Sequence, residues 1–225
     1  MNSKFSIFNR RGFSLVELLM ILAIIVVILS IGVPHIIGIL QGTAMTRNIN
    51  ELADCLRHAR TAAISGNTYV WVGILPVSAN AVDNPSGNAK IVVAAVAGKN
   101  GQTSDITSGC LTPIRKSRVL ENVTLNQFDT SILQSAGRET TGVNDISASS
   151  LDAQFSLPIG GVSINGQPPV FTELIQFSPQ GDAKITSTAS RWIEIGLQAP
   201  HDKNGTNIAI LQINGLTGQL RIFRP

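Results

Sequence analysis

Between residues 18 and 33 every side chain is apolar except Ser30 and Gly32, and no formally charged side chain occurs from Leu18 to Thr46. Extended back to Phe13, this run reaches about the 20 residues that a helix needs to cross a bilayer. One acidic residue, Glu17, stands inside its N-terminal edge. Beyond Gly42 the pattern changes. Ile49, Leu52, Ala53, Leu56, Ala59, Ala63 and Ile64 recur at helical spacing, with Arg47, Asn50, Glu51, Asp54, Arg57, His58 and Arg60 between them. That spacing predicts an amphipathic helix packed on a core, with Gly66-Asn67 as its stop. Arg47–Glu51 and Asp54–His58 are spaced as i,i+4 pairs.

After Asn67 the period shortens to that of strands. Runs rich in β-branched and aromatic residues fall at 68–75, 89–96, 170–177, 183–187, 191–197, 207–213 and 219–223, with a weaker one at 119–128. Turn residues divide them at 83–87, 178–181, 204–205 and 215–218. Residues 129–167 are polar and Ser/Gly-rich, and long for a plain connection. They read as a loop insertion with at most a short helix or hairpin. The expected fold class is α+β, a long N-terminal helix packed against an antiparallel β-sheet.

Charge refines this picture. The chain of 225 residues has 17 Lys plus Arg against 14 Asp plus Glu, and only 14% charged residues, against about 25% in an average soluble domain. Lys4, Arg10 and Arg11 lie in the first twelve residues, so their removal leaves 14 basic against 14 acidic residues. The net charge thus belongs to a leader and not to a nucleic-acid surface. Basic residues ahead of an apolar run predict an N-terminus held on the cytoplasmic side of a membrane.

Little in the chain suggests chemistry. Three histidines, His35, His58 and His201, have no ligand partner at usable spacing, and no phosphate loop or nucleophile elbow occurs. An enzyme is not expected, nor a metal or any other cofactor. Cys55 and Cys110 allow one pairing; an oxidising compartment would favour a disulfide between them, while two buried thiols are the plainer alternative. Pro34, inside the helical stretch, is expected to bend it.

Glu17 is what a simple anchor does not explain. The stretch Gly12-Phe13-Ser14-Leu15-Val16-Glu17, with the basic leader before it and the apolar run after it, resembles the signal of type IV pilins and type II secretion pseudopilins. The resemblance implies a prepilin leader at 1–12, cut between Gly12 and Phe13 by a prepilin peptidase that also methylates the new N-terminus. It implies that Glu17 pairs with the amine of Phe13 from a neighbouring subunit. Residues 13–34 would then be the transmembrane half of the helix, 35–66 its amphipathic half, and 67–225 a β-rich periplasmic domain with the insertion at 129–167. Such a protein would be a single-pass inner-membrane protein, incorporated in a pseudopilus or pilus. Its partners would be major and minor pilin-like subunits, the peptidase and an inner-membrane assembly platform.

The strand-turn-strand through Phe177-Ser-Pro-Gln-Gly181, and the ending Asn214-Gly-Leu-Thr-Gly218 followed by Gln219-Leu-Arg-Ile-Phe-Arg224, resemble the minor pseudopilin H and FimT/FimU-like minor pilin group. The function this implies is structural: a minor pseudopilin acting in assembly, or at the tip, of a type II secretion pseudopilus. The alternative is a FimT/FimU-like minor pilin of a type IV pilus. Some FimT-like pilins bind DNA in natural transformation, for which Arg221 and Arg224, with Arg191 and Lys203, are the matching residues. Two arginines on a neutral domain would give only weak phosphate binding.

Overall fold

The computed structural model describes residues 14–77, 89–151, 153–158, 167–200, 202, 205 and 207–225, with the backbone alone for 30–42. The turn expected at 83–87 lies outside these. The chain divides into two compact units, residues 1–42 and 43–225. One helix, α1 (Leu15–Gly66), contributes to both.

In the first unit, α1 carries apolar side chains on all sides from Leu15 to Leu29. Its expected membrane-spanning half is corrected here: among the described residues no helix is long and apolar enough to cross a membrane. The same finding removes the support for a single-pass inner-membrane chain with a cytoplasmic N-terminus and a periplasmic C-terminal domain.

In the second unit the helical periodicity is realised. Met45, Ile49, Leu52, Ala53, Cys55, Leu56, Ala59 and Ala63 form one buried face. Ile64, expected on that face, is 43% exposed, because it lies about 100° round the helix from Ala63. Arg47 pairs with Glu51 at 3.2 Å as expected, whereas Asp54 pairs with Arg57 at 3.3 Å. The helix ends as a Schellman motif: Asn67 takes a left-handed conformation, φ 46°, its N–H donates to Ile64, and that of Thr68 donates to Ala63. Those bonds satisfy carbonyls that the last turn would leave open.

Two sheets receive this helix. The first contains β1 (Val70–Val77), β2 (Lys90–Gly98), β3 (Leu111–Pro113) and β4 (Arg118–Glu121). A short helix, α2 (Asp105–Ser108), separates β2 from β3. The second sheet begins with β5 (Thr124–Leu125) and β6 (Val143–Asp145). β7 (Phe155–Ser156) and β8 (Val170–Phe171) pair with each other. β9 (Glu173–Phe177) and β10 (Ala183–Lys184) return to the first sheet, giving the order β10-β9-β1-β2-β3 with β4 also on β2. The chain then crosses to the second sheet as β11 (Trp192–Gln198), β12 (Ile208–Asn214) and β13 (Leu220–Phe223), ordered β13-β12-β11-β5, with β6 also on β11. The pairs are antiparallel except β6–β11.

Alternation along the strands fills two cores. Val70, Val72, Ile74, Ile91, Val93, Ala95, Ile175 and Phe177 of the first sheet join α1 and Ile193, Ile195, Leu197, Ala209, Leu211 and Ile213 of the second. Trp71, Val92, Ala94, Val96 and Leu174 face the other way, under Ile106, Phe155 and Phe171. Phe155 and Phe171 stack with centroids 4.9 Å apart. Burial on both faces explains why β1 and β2 read as continuous apolar runs. Gly73 sits where a Cβ would meet the Phe171 ring at 2.7 Å, so the strand admits Phe171 only because it lacks a side chain there.

Residues 129–167, expected as a loop insertion, contribute β6, β7 and two 3-10 turns, Gln134–Ala136 and Ile146–Ala148. Two acidic groups report on the packing. Burial favours raising the Asp105 carboxyl, yet hydrogen bonds from the Asn100 side chain and the N–H groups of Asn100, Gln102 and Gly101 hold it below its ordinary value. Glu173 is raised, first by burial and then by the nearby Asp145 charge, and its Oε2 is buried without a hydrogen-bond partner.

Cys55 and Cys110 are both free. Cys55 packs in the core beneath α1, and its pKa is pushed up to about 11 by burial against the opposing pull of Arg115 and Arg118. Cys110, just ahead of β3, is partly exposed. Only a thiolate attacks readily, so an alkylating reagent is expected to modify Cys110 first and Cys55 only on unfolding. A non-reduced mass two hydrogens light would show instead that the two are bridged.

Glu173 gives a pH dependence of defined sign. Its folded pKa is raised, so the folded state binds the proton more tightly. Stability should therefore rise as pH falls from above the folded value towards the ordinary glutamate value. The lowered carboxyl of Asp105 acts the other way, with stability lost at lower pH as the medium passes through its folded value. Glu173→Gln is expected to raise the denaturation midpoint at neutral pH and to flatten the first of these slopes. An unchanged midpoint would show that the carboxylate is fully solvated.

Candidate functional site

The first turn of α1 holds Glu17, the one acidic residue there. The N–H of Leu18 donates to the carbonyl of Ser14 at 3.1 Å, closing the helix start. Ser14 and Glu17 are thus three apart at a helix N-terminus, the spacing of a capping box. A carboxylate there also faces the positive end of the helix dipole. Local helix initiation is therefore one physical use for Glu17, and the Ser-x-x-Glu spacing is its signal in the sequence.

Around Glu17 the helix is apolar and open. Leu15 is 74% exposed, Val16 72%, and even Ile21, the most covered of the large apolar residues up to Leu29, is 41% exposed. Covering each such side chain is worth about 1.5–3 kcal/mol. A helix apolar on every side is stable in water only when something covers it. Gly12 and Phe13, the expected cleavage pair, lie outside the described residues. At Pro34 the backbone is helical within α1.

The C-terminal arginines do not form one patch. Arg221 lies on the outer face of the second sheet, its guanidinium carbon 5.4 Å from the centroid of the Trp192 ring, within cation–π range. Arg224 donates to the Thr46 hydroxyl of α1 at 2.9 Å. Arg191 is exposed beside Gly142, and Lys203 lies outside the described residues. Alternation along β13 separates Arg221 and Phe223 from Leu220 and Ile222, which pack on the core beneath α1.

The two C-terminal turn motifs do come together, through α1. Arg60 donates from Nε to the carbonyls of Thr217 at 2.8 Å and Gly181 at 3.3 Å. The Asn214 Oδ1 accepts the N–H groups of Leu216 and Thr217, both at 3.0 Å. Gly218 is left-handed, φ 64°, and a Cβ there would strike the Gly181 carbonyl. This arginine-tied corner explains why both motifs need glycine. Arg60 thus serves the two turns, while Arg57 serves Asp54. Among the described residues no group of three or more His, Cys, Asp or Glu stands together as a metal site.

Residues 7–33 match the family model described as the prokaryotic N-terminal methylation motif. No curated protein and no solved structure matches the chain. The chain thus carries an N-terminal methylation motif of the kind associated with type IV pilin-like proteins, and this motif contains both Glu17 and the exposed apolar run.

Proposed function

We propose that this protein is a structural pilin-like subunit, a minor pseudopilin of a type II secretion system, that assembles with other pilin-like subunits through the N-terminal part of α1. The observation that carries this reading is the all-round apolar exposure of residues 15–29 with one acid, Glu17, inside the methylation motif. The motif also supports processing by a prepilin peptidase, with cleavage between Gly12 and Phe13 and methylation of the Phe13 amine. The new amine would then be the partner that Glu17 requires. A carboxylate among packed apolar helices is costly unless it is paired. Paired with the amine of the next subunit, it fixes one axial register, which uniform Leu, Ile and Val packing cannot do.

The separation of Arg221 from Arg224 gives a DNA role no support, because the two do not share a face that one phosphate backbone could follow.

Two measurements test the proposal. Protein recovered from the cells that express it should begin at Phe13 and be one methyl group heavier than its sequence. An intact Met1 would remove the basis for the pairing. Glu17→Gln and Glu17→Ala then separate capping from assembly. A capping box accepts Gln in place of Glu, so a purely local role predicts a normal Gln variant and a weakened Ala variant. Pairing with an amine predicts that both lose incorporation into filaments, by at least about tenfold, while processing continues.

A further inference from the structure

The second sheet is closed along one edge by an unusual arrangement. β12 occupies one side of β11. The other side is covered by two pieces of a single segment: β5, antiparallel on Leu197 and Gln198, and β6, parallel on Trp192 to Glu194. Between these pieces Asn126 and Gly142 still bond to the edge, the Asn126 N–H donating to Gly196 at 3.0 Å and the Gly142 carbonyl accepting from Trp192 at 3.1 Å, and the residues between them leave it. They return only after Arg138 has inserted beneath them.

Arg138 is the one buried residue between 126 and 142. Its side chain is 2% exposed and that of its partner Glu194 8%. Nε and Nη2 each donate to a Glu194 carboxylate oxygen at 2.7 Å. Nη1 donates to the carbonyls of Asp129 at 2.7 Å and Ile132 at 2.8 Å, and Nη2 also reaches that of Phe128 at 3.3 Å. Gln212, across from Glu194 on β12, donates to the same carboxylate at 2.9 Å and to the Glu139 carbonyl at 2.8 Å, and accepts the Glu139 N–H at 3.3 Å. Apart from the bonds at its two ends and the Phe128 ring over Gly196, the segment is therefore held by one guanidinium and one amide, and none of its apolar side chains is fully buried. It also contains Leu133 in the left-handed region, φ 58°, a conformation that disfavours residues with a Cβ.

We propose that residues 126–142 form a separable strap across β11 that opens as a unit while the two sheets stay folded, with the Arg138–Glu194 pair as its latch. Segments with few buried apolar contacts open at lower free energy than the core they cover. An ion pair suits a latch, because losing one partner strands a buried charge and the attachment fails abruptly. What opening bares is the Glu194 carboxylate with the Gln212 amide, the Gly196 carbonyl and the Trp192 N–H, while β5 and β6 keep the rest of the β11 edge paired.

Amide hydrogen exchange on the full chain, kept in solution by detergent, tests this. In the unmodified protein the amides of Asn126, Gly137 and Glu139 are expected to exchange at rates independent of low denaturant. Those of the β11–β12 ladder should accelerate with denaturant, as global unfolding requires. A common denaturant slope for both sets would overturn the proposal, whether or not any variant folds. In Arg138→Met, protection in 126–142 should fall about a hundredfold or more, with the ladder between Ile193 and Leu211 unchanged. Protection retained in the segment, or lost equally in the ladder, would mean that Arg138 is not a latch.

Discussion

Burial of one helical face, from Met45 to Ala63, is the constraint on which the second unit depends. Two sheets turn apolar faces towards it, and among the described residues no strand of one pairs with a strand of the other, although the Ala183 N–H of β10 donates to Gly215, just past β12, at 2.8 Å. The helix is their common floor. Small residues at Ala53, Ala59 and Ala63, all fully buried, alternate with Ile49, Leu52 and Leu56. That alternation lets strands approach closely while the larger side chains fill the space between them. Removing a buried Leu such as Leu52 would cost about 2–5 kcal/mol by the usual cavity argument, a large share of a domain's net stability.

Once the core is set, arginines tie the periphery to it. Arg60 gathers two turns at the end of α1 through their carbonyls, Arg224 ties the C-terminal strand to Thr46, and Arg138 holds a polar segment on the outer sheet. The guanidinium fork suits this use, because it offers several donors in a fixed plane and stays charged. Backbone carbonyls in turns are acceptors left over by secondary structure, and one arginine can satisfy two or three of them. A domain with few charged residues has thus placed several of them where loops would otherwise lack attachment.

The regular elements were legible in the sequence because each depends on local periodicity. The apolar spacing from Ile49 to Ala63 gave the core face of the helix, and alternation located β11, β12 and β13 to within a residue, whereas the strand expected at 183–187 ends at Lys184 and the one at 170–177 is divided into β8 and β9. Tertiary facts were not legible. That β1 pairs with β9, about a hundred residues on, and that the strands divide into two sheets, has no local signal. Arg138 was invisible for the same reason: its partners Glu194 and Gln212 are distant in sequence and meet only across β11 and β12. The C-terminal arginines look adjacent in sequence, yet strand alternation sends Arg221 to Trp192 and Arg224 to α1. The membrane expectation rested on counting apolar residues, whereas among the described residues no helix is long and apolar enough to cross a membrane.

At the candidate site the residue was legible in the pattern, but the choice between its roles was not. Glu17 satisfies a local rule, an acid at the start of a helix, and stands as the one charge in an apolar surface. These roles differ in what they require of the surroundings. Capping is worth about 1 kcal/mol, needs only the backbone of the same helix and works best in water. It is therefore weakened when the helix is covered, because the carboxylate must then shed solvent without gaining a full counter-charge. The apolar surface around Glu17 calls for covering, and each Leu or Ile buried there contributes more than a cap loses. Covering thus turns a mildly useful cap into an unpaired charge, unless the incoming surface brings a cation to the same point. A cationic, apolar-flanked partner, as in the proposed assembly, would keep Glu17 ionised under such a cover, where otherwise it would have to take up a proton.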